Sequence, residues 1–584
     1  MIIMKKMRRI AAVITAFCSV LLVGCGAKHN HQFSCKVAEE KYLKTEATCE
    51  TAAQYYYSCS CGAKGEETFK DGKRRNHDYT AKVEDAKYLK EAANCQQGAV
   101  YYTSCSMCGK KYTLNTFSTE TLGEHDYSQE NTDAQYLKSE ATFEDSAVYY
   151  KSCICGQKGE DTFVYGEKLR EYTDEEKLAY LPTSLTVSLY DPENCVYGFT
   201  YNTEKKPLRP VIQVVKGASF SEQCEEYIAT VTQETSYNTD DTVFTYYIVK
   251  VEVTLEPLTT YTYRAYDKYV DVGTEAATLE TKDTEATAFS FAHVSDSQVS
   301  PSTGTYFANV LSRIVGKNDF IIHTGDVVET SKYESEWTDM LHGNFEYLSK
   351  IPMMAISGNH ETTYKNGSNE TFKHFNNKIP TQGATKLGYF YSFVYGNVKF
   401  IMLNTNDLTG NQLKAEQYNW LLNELKNNDC DWTIVAMHNP MYSIGKYGSD
   451  SSRNAICLAL RAQLKSIFAE YGVDIVLQGH DHAISRTYPI DKDGKITTET
   501  LETVDGVQYS VDPSGVIYVM NGPAGPQARG AVQGYDEKLY AYAQTSSPCS
   551  WAEFEVNGNM LTVTVQYTDG KQVYKYQKWG IQKS

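Results

Sequence analysis

The stretch Ala288-Phe289-Ser290-Phe291-Ala292-His293-Val294-Ser295-Asp296-Ser297-Gln298 decides the fold of the larger part of this chain. A mostly apolar run ends abruptly in a polar cluster, as at the C-terminal end of a strand buried on both faces. The pattern returns four times: Phe320-Ile321-Ile322-His323 before Gly325-Asp326, Met353-Met354-Ala355-Ile356 before Gly358-Asn359-His360-Glu361, Thr433-Ile434-Val435-Ala436 before His438, and Val473-Asp474-Ile475-Val476-Leu477 before Gly479-His480-Asp481-His482. Between these runs, Trp337, Leu341, Phe345 and Leu348 recur at helical spacing, as do Leu460, Leu464 and Phe468. Strand–helix alternation predicts an α/β layered domain over 286–584, with polar strand ends converging on one edge.

Asp296, Gln298, Asp326, Asn359, His438, His480 and His482 gather at that edge. Two carboxylates and three imidazoles brought together need a counter-charge, which points to cations. The donors are oxygen and nitrogen only, which suits Mn, Fe or Zn and excludes a soft thiolate site. Seven donors exceed what one ion needs, so a shared carboxylate would bridge two.

The ordered set resembles the calcineurin-like metallophosphoesterases, whose motifs run Asp-x-His, Gly-Asp-x-x-Asp, Gly-Asn-His-Asp/Glu, a lone His, then Gly-His-x-His. Tyr391-Ser392-Phe393, Gly396-Asn397-Val398 and the tail at 516–580 resemble the purple-acid-phosphatase branch of that family. The resemblance implies a four-layer α/β domain holding two divalent ions. Asp296, Gln298, Asp326 and His482 would hold the first ion; Asp326, Asn359, His438 and His480 would hold the second, with Asp326 bridging. It further implies hydrolysis of phosphate monoesters by hydroxide generated at the two ions, with His360 protonating the leaving oxygen and Glu329 orienting His360. A phosphodiesterase or nucleotidase would use the same motifs. Two departures stand out: Gln298 replaces the usual His, and position 329 lacks the Tyr that supplies an Fe(III)-binding phenolate in purple acid phosphatases. The purple Fe(III) chemistry is therefore not expected. His293 and His323, three residues before each aspartate, read as packing or supporting groups. His374 reads as packing at the rim, with reach to the substrate as the alternative, Arg486 as a structural ion pair, with a phosphate contact as the alternative, and Cys430, Cys457 and Cys549 as structural thiols.

Upstream, residues 182–283 alternate in short runs such as Leu185-Thr186-Val187-Ser188-Leu189 and Tyr246-Tyr247-Ile248-Val249-Lys250-Val251-Glu252-Val253. They predict an antiparallel sandwich. Its close, Leu258-Thr259-Thr260-Tyr261-Thr262-Tyr263-Arg264, resembles the fibronectin-type-III-like domain that precedes the catalytic domain in purple acid phosphatases. Cys195 and Cys224 are candidates for a bridge within it.

Residues 25–170 repeat. His31, His77 and His125 are spaced by 46 and 48 residues, and Tyr42, Tyr88 and Tyr136, each followed by Leu-Lys, keep the same period, as do Cys59, Cys105 and Cys153. The units resemble the cysteine-knuckle repeats found in tandem on bacterial surface proteins. Units this small need a staple. One His and three Cys per unit (His31, Cys49, Cys59, Cys61; His77, Cys95, Cys105, Cys108) match a closed structural zinc site, and disulfides are the competing staple. Phe143 stands where Cys49 and Cys95 stand, so the third unit keeps only His125, Cys153 and Cys155 and cannot close such a site alone. The tract reads as a spacer or an adhesion module toward a cell-surface or cell-wall partner.

Residues 1–24 carry Lys5, Lys6, Arg8 and Arg9 before a 15-residue apolar run from Ile10 to Gly24, too short to span a bilayer and suited to an export signal. Leu22-Val23-Gly24-Cys25 resembles the lipobox of bacterial lipoproteins, which implies a lipid on Cys25 and an extracytoplasmic chain tethered to the cell membrane of a bacterium. Across the 584 residues, 41% are hydrophobic and 22% charged, which excludes wholesale disorder. The net charge of −17 argues against nucleic acid as a partner, because little would supply the counterion-release energy. The expectation is thus a multidomain phosphate-ester hydrolase, against the rival of an adhesion protein with an accessory phosphoesterase domain.

Overall fold

The computed structural model describes residues 30–283, 286–362, 371–380, 389–447, 455–531 and 534–584. Cys25 and its export signal lie outside the described residues. The chain divides into two compact units, one built on residues up to Gln129 together with Lys151–Asp161, the other on Glu130–Tyr150 with Thr162–Ser584. Among the described residues, no helix is long and apolar enough to cross a membrane.

The first two repeats, both in the first unit, are each a small three-stranded antiparallel sheet. The first comprises Leu43–Thr45, Ala53–Ser58 and Lys64–Asp71, and the second Leu89–Glu91, Gly98–Ser104 and Lys111–Leu122. A third copy follows at Leu137–Ser139, Ala147–Ser152 and Lys158–Tyr165. The tyrosine of each Tyr-Leu-Lys is buried, and the hydroxyls of Tyr42 and Tyr88 donate to the carbonyls of Gly62 and Gly109 at 3.1 and 2.7 Å. The same tyrosine-to-glycine hydrogen bond thus recurs in the first two repeats.

In the second unit, residues 183–280 form two antiparallel sheets. One is ordered Thr183–Asp191, Val196–Thr203, Val243–Thr254, Thr230–Tyr237; the other runs Glu225–Ile228, Pro210–Lys216, Thr260–Asp267, Val272–Gly273, with Ala277–Glu280 also pairing Thr260–Asp267. Alternate residues such as Leu185, Val187, Leu189, Val249, Val251 and Val253 turn inward onto Ile212, Val214 and Tyr263 in one core, as strand periodicity requires. Cys195 and Cys224 are free thiols here, so the bridge considered for them is not formed.

All five apolar runs are strands: Ala288–Val294, Phe320–His323, Met353–Ala355, Trp432–Met437 and Ile475–Gln478. The first three run parallel in an eight-stranded sheet that continues antiparallel through Ser550–Asn557, Met560–Thr568 and Val573–Gln582. The last two run parallel in a seven-stranded sheet between Val398–Met402 and Ile517–Asn521. Alternation makes the layers. Phe291 and Ile434 point between the sheets, while Ala292 and Val435 point outward beneath helices. Phe307, Val310 and Leu311 of Gly304–Ile314, with Trp337 and Leu341 of Glu334–Leu341, cover the first sheet. Leu421 and Leu425 of Ala415–Lys426, with Leu460, Leu464 and Phe468 of Ala455–Glu470, cover the second.

The inter-sheet layer is aromatic. Phe291 stacks on Phe320 and Phe554 at 5.4 and 4.7 Å and meets Phe400 of the facing sheet edge-on at 5.2 Å. Such pairs contribute about 0.5–1.5 kcal/mol each beyond their buried area, so the two sheets are held in one register and their strand ends stay aligned. The helical spacing from Trp337 to Leu348 is interrupted: one helix ends at Leu341 and a short second begins at Phe345. Between them, a Cβ on Gly343 would stand 2.3 Å from the carbonyl of Asp339, so the chain turns where only glycine fits.

Candidate metal centre

The seven candidate donors sit at the C-terminal ends of those five strands. Five of them, Asp296, Gln298, Asp326, His480 and His482, have positive φ, between 40° and 72°. Left-handed backbone at non-glycine residues costs energy and clusters at sites where direction of the side chain matters. Close backbone approach explains the flanking glycines. A Cβ on Gly358 would fall 2.0 Å from Asp326 Oδ1, and one on Gly325 would fall 2.5 Å from the Gly358 nitrogen.

Around Asp326 the geometry is tight. Its Oδ1 lies 3.3 Å from His438 Nε2, which is itself 3.1 Å from Asn359 Oδ1. Asp326, His438 and His480 bring one donor atom each within 4.8 Å of one another. His438 Nδ1 donates to the Thr324 carbonyl at 2.8 Å, so its Nε2 is the atom turned toward the carboxylate. A second group forms around Asp296. His482 Nε2 is 3.2 Å from Asp296 Oδ1, and His482 Nδ1 donates to the Gln527 carbonyl at 2.5 Å. Asp296 also accepts the backbone N–H of His480 at 3.0 Å and the hydroxyl of Ser295 at 2.5 Å. Outward ring nitrogens tied to carbonyls, with inward ones facing carboxylates, is the arrangement that orients metal-binding histidines.

The charges are unbalanced. Burial alone would lower the imidazolium of His438, but Asp326 and then Asp296 hold it up to about 9. Burial and neighbouring His438 push His480 down to about 3, which leaves it neutral with a lone pair to give. For Asp296, burial raises the carboxyl, and His482 and His438 outweigh it and hold it well below the ordinary range. The carboxylates therefore draw positive charge into the pocket. Gln298 adds a direct sign: its amide nitrogen lies 3.1 Å from His360 Nε2, while its Oε1 is buried with no hydrogen-bond partner. A buried oxygen left without a partner costs about 1–3 kcal/mol, and a cation would satisfy it. The donor set thus fits two hard or borderline ions sharing Asp326.

Glu329 requires a correction. His360 Nδ1 donates to the backbone carbonyl of Glu329 at 2.5 Å, whereas the Glu329 carboxylate stands 4.0 Å away on a side chain that is 40% exposed. The imidazole is oriented by main chain, because that carbonyl already lies at the rim where His360 turns. Asp326 also lies 3.8 Å from His360 Nε2. Burial lowers the His360 imidazolium, and Asp326, the Glu329 carbonyl and Glu361 together more than offset this and raise it above the ordinary histidine range.

Glu361 and Asp481 carry more than their place in the motifs indicated. Glu361 accepts the backbone N–H groups of Asp326, Val327 and Gly358 at 2.9, 2.8 and 2.7 Å, clasping two donor-bearing loops. The signal in the sequence is its acidic fourth place in Gly358-Asn359-His360-Glu361. Asp481, fully buried between His480 and His482, accepts from Ser443 and from the N–H groups of Lys446 and Tyr447. His293 and His323 support the floor: His293 bonds Thr324 and Asn521, and His323 bonds Ser297 and the N–H of Gly325. His374 stacks on Trp337 at 4.1 Å, and Arg486 lies over the Trp579 ring at 4.5 Å. Both are packing groups; the ion pair expected of Arg486 gives way to an aromatic face. Cys457 and Cys549 are buried thiols, and Cys430 is half-buried.

The repeat cysteines are grouped differently from expectation. Cys49 gathers with His77, Cys105 and Cys108, and Cys95 with His125, Cys153 and Cys155, while His31 gathers with Cys59 and Cys61. Cys49 and Cys59 lie beyond opposite ends of the strand Ala53–Ser58, which at about 3.3 Å per residue separates them by roughly 20 Å. One ion cannot hold both, so the sets drawn within single repeats are wrong.

Residues 289–483 match the family model described as Calcineurin-like phosphoesterase, and this part of the chain is a calcineurin-like phosphoesterase domain. The chain is similar to purple acid phosphatase 15 of Arabidopsis thaliana, 28% identical over 211 residues that cover 35% of each chain. It is likewise similar to purple acid phosphatase 23 of the same plant, 28% identical over 302 residues, covering 46% of this chain and 60% of that one. The chain therefore spans between about a third and three fifths of the length of those relatives. The solved purple acid phosphatase PPD1 from yellow lupin (Lupinus luteus) seeds shares the fold, with a TM-score of 0.57 over 69% of this chain and 75% of that chain, at 16% identity.

Proposed function

We propose that the chain is a dinuclear-metal phosphoesterase that hydrolyses phosphate monoesters. The observation that carries this reading is the convergence of seven oxygen and nitrogen donors from five strand ends on a pocket that holds the partnerless Gln298 Oε1. Asp296, Gln298, Asp326 and His482 would hold one divalent ion, and Asp326, Asn359, His438 and His480 the other. Mn, Fe or Zn bound there would lower the pKa of water and neutralise charge on an in-line phosphoryl displacement.

The chain's own residues supply the rest. His360, held by the Glu329 carbonyl and kept protonated beside Asp326, has Nε2 facing the pocket and gives its proton to the leaving oxygen of the ester. Gln298, with its amide nitrogen 3.1 Å from that same nitrogen, lies against the ring in the substrate-free site. Asn359 adds an oxygen donor without adding negative charge beside a phosphate. The Glu361 clasp keeps the Asp326 and Asn359 loops at their spacing while the charge in the pocket changes.

Export and a lipid on Cys25 would place this activity on the outer face of a bacterial membrane, as Lys5, Lys6, Arg8, Arg9 and the Leu22-Val23-Gly24-Cys25 stretch support. The retained donor set argues against a purely adhesive protein. A panel of aryl phosphate mono- and diesters, with Mn, Fe or Zn supplied, tests the assignment. Monoester turnover above diester turnover supports it, preferential diester turnover makes it a phosphodiesterase, and no turnover with any ion refutes the enzyme reading.

A further inference from the structure

We propose that the repeats are stapled to one another by zinc, each repeat lending one cysteine forward to the His-Cys-Cys knuckle of the next. The proposal rests on the first unit alone and is independent of the catalytic reading. Cys49 lies in the turn between Leu43–Thr45 and Ala53–Ser58, at the end of the hairpin where Ala53 pairs with Asp71 and the chain leaves for the second repeat. Arg75, two residues before His77, donates its backbone N–H to Thr48 at 2.9 Å and delivers the second knuckle to that turn.

Two four-donor clusters result. In the first, Cys49 Sγ is 3.7 Å from Cys105 Sγ, and Cys108 Sγ is 3.4 Å from His77 Nδ1. In the second, Cys95 Sγ is 3.1 Å from Cys153 Sγ, and Cys155 Sγ is 3.2 Å from His125 Nδ1. Each set lies within 4.8 Å throughout. Metal–sulfur and metal–nitrogen bonds of about 2.3 and 2.0–2.1 Å make the edges of a tetrahedron about 3.5–3.8 Å, so these four separations lie within about 0.7 Å of such edges. A disulfide would use two of the four groups and leave a thiol and an imidazole idle. Three thiols and an imidazole are the donor set of a closed structural zinc site, and binding would release the thiol protons.

The ends of the array obey the same polarity. The third repeat has no fourth to serve, and its donor position is Phe143, which is 68% exposed in the equivalent turn. The first repeat has no upstream lender among the described residues, and there only His31, Cys59 and Cys61 gather. The Cys-to-Phe change that looked like a broken unit is the expected end of a forward-lending chain.

The test is zinc released from the signal-free full chain by a mercurial thiol reagent, read with a chromogenic zinc indicator. The oxygen and nitrogen donors of the catalytic domain contain no thiol for that reagent to attack. Two zinc ions per chain are expected. Cys49→Ser, Cys108→Ser and Cys155→Ser should each lose one, Cys61→Ser should still release two, and Cys49→His, which keeps a zinc donor but cannot form a disulfide, should retain both. Release of none, with thiols that can be alkylated only after reduction, would establish disulfides and overturn the proposal. Release of fewer than two from Cys61→Ser would return the Cys49 site to its own repeat and overturn it equally. An unchanged far-ultraviolet circular dichroism spectrum in each variant shows that the rest of the chain has folded.

Discussion

Glu361 accepts the backbone N–H of Asp326 at 2.9 Å, 35 residues away in sequence, and so fixes the loop that carries the carboxylate proposed to serve both ions. Its other bonds, to the N–H groups of Val327 and Gly358, make a single buried side chain the tie between the second and third strand ends.

Glu361→Gln keeps the shape but turns one acceptor oxygen into a donor facing backbone N–H groups. Supporting groups of this kind typically cost about 10–100-fold in metal affinity or activity when changed. That loss is expected in turnover measured at limiting metal, with partial recovery when metal is raised. Turnover equal to the parent at limiting metal would show that the clasp is only structural.

Gln298 is proposed as a donor to the first ion. Gln298→Leu should lose about one metal per chain and at least the roughly 10–100-fold in turnover seen for supporting groups, whereas Gln298→His should retain both ions and bind the first more tightly. Metal content by elemental analysis separates the two. Equal metal content in Gln298→Leu and the parent would remove Gln298 from the donor set.

Lys250 gives a pH dependence away from the metals. Its ammonium donates to the carbonyls of Phe372 and Phe375 at 2.5 and 2.8 Å, and burial lowers it to about 7, with Glu252 and Glu234 opposing. The free group titrates near 10.4. Between about pH 7 and 10 the unfolded chain thus holds a proton that the folded chain does not, so this group's contribution to stability rises with pH across that window and is lost as pH falls toward 7. Relative to Lys250→Met, the parent should gain in melting temperature from pH 7 to 9.5. A constant difference would mean that Lys250 stays charged when folded.

Much of this was legible in the sequence because strand burial and strand endings leave a one-dimensional record. The runs at 288–294 and 320–323 are apolar since both faces are covered, and the polar residues follow immediately because the strand ends there. What the sequence could not show lies in directions. Nothing in Asp296 or His480 announces a left-handed backbone, and Glu361 is chemically silent until Asp326 is seen to lie against it. The helix read through Trp337 and Leu348 breaks around Gly343, where the close approach of the Asp339 carbonyl leaves no room for a Cβ, a contact that spacing alone does not encode. Cys49 was misassigned because sequence proximity suggested Cys59 as a partner, although one extended strand between them already forbade it.

The most direct measurement is metal content and phosphate release on the same preparations of the parent chain and Asp326→Asn, after thiol-held metal has been stripped with a mercurial. The account predicts about two remaining metal ions per parent chain with monoester turnover, and loss of both ions and of turnover in Asp326→Asn. An Asp326→Asn chain that keeps its metals and its activity would contradict the shared-carboxylate centre.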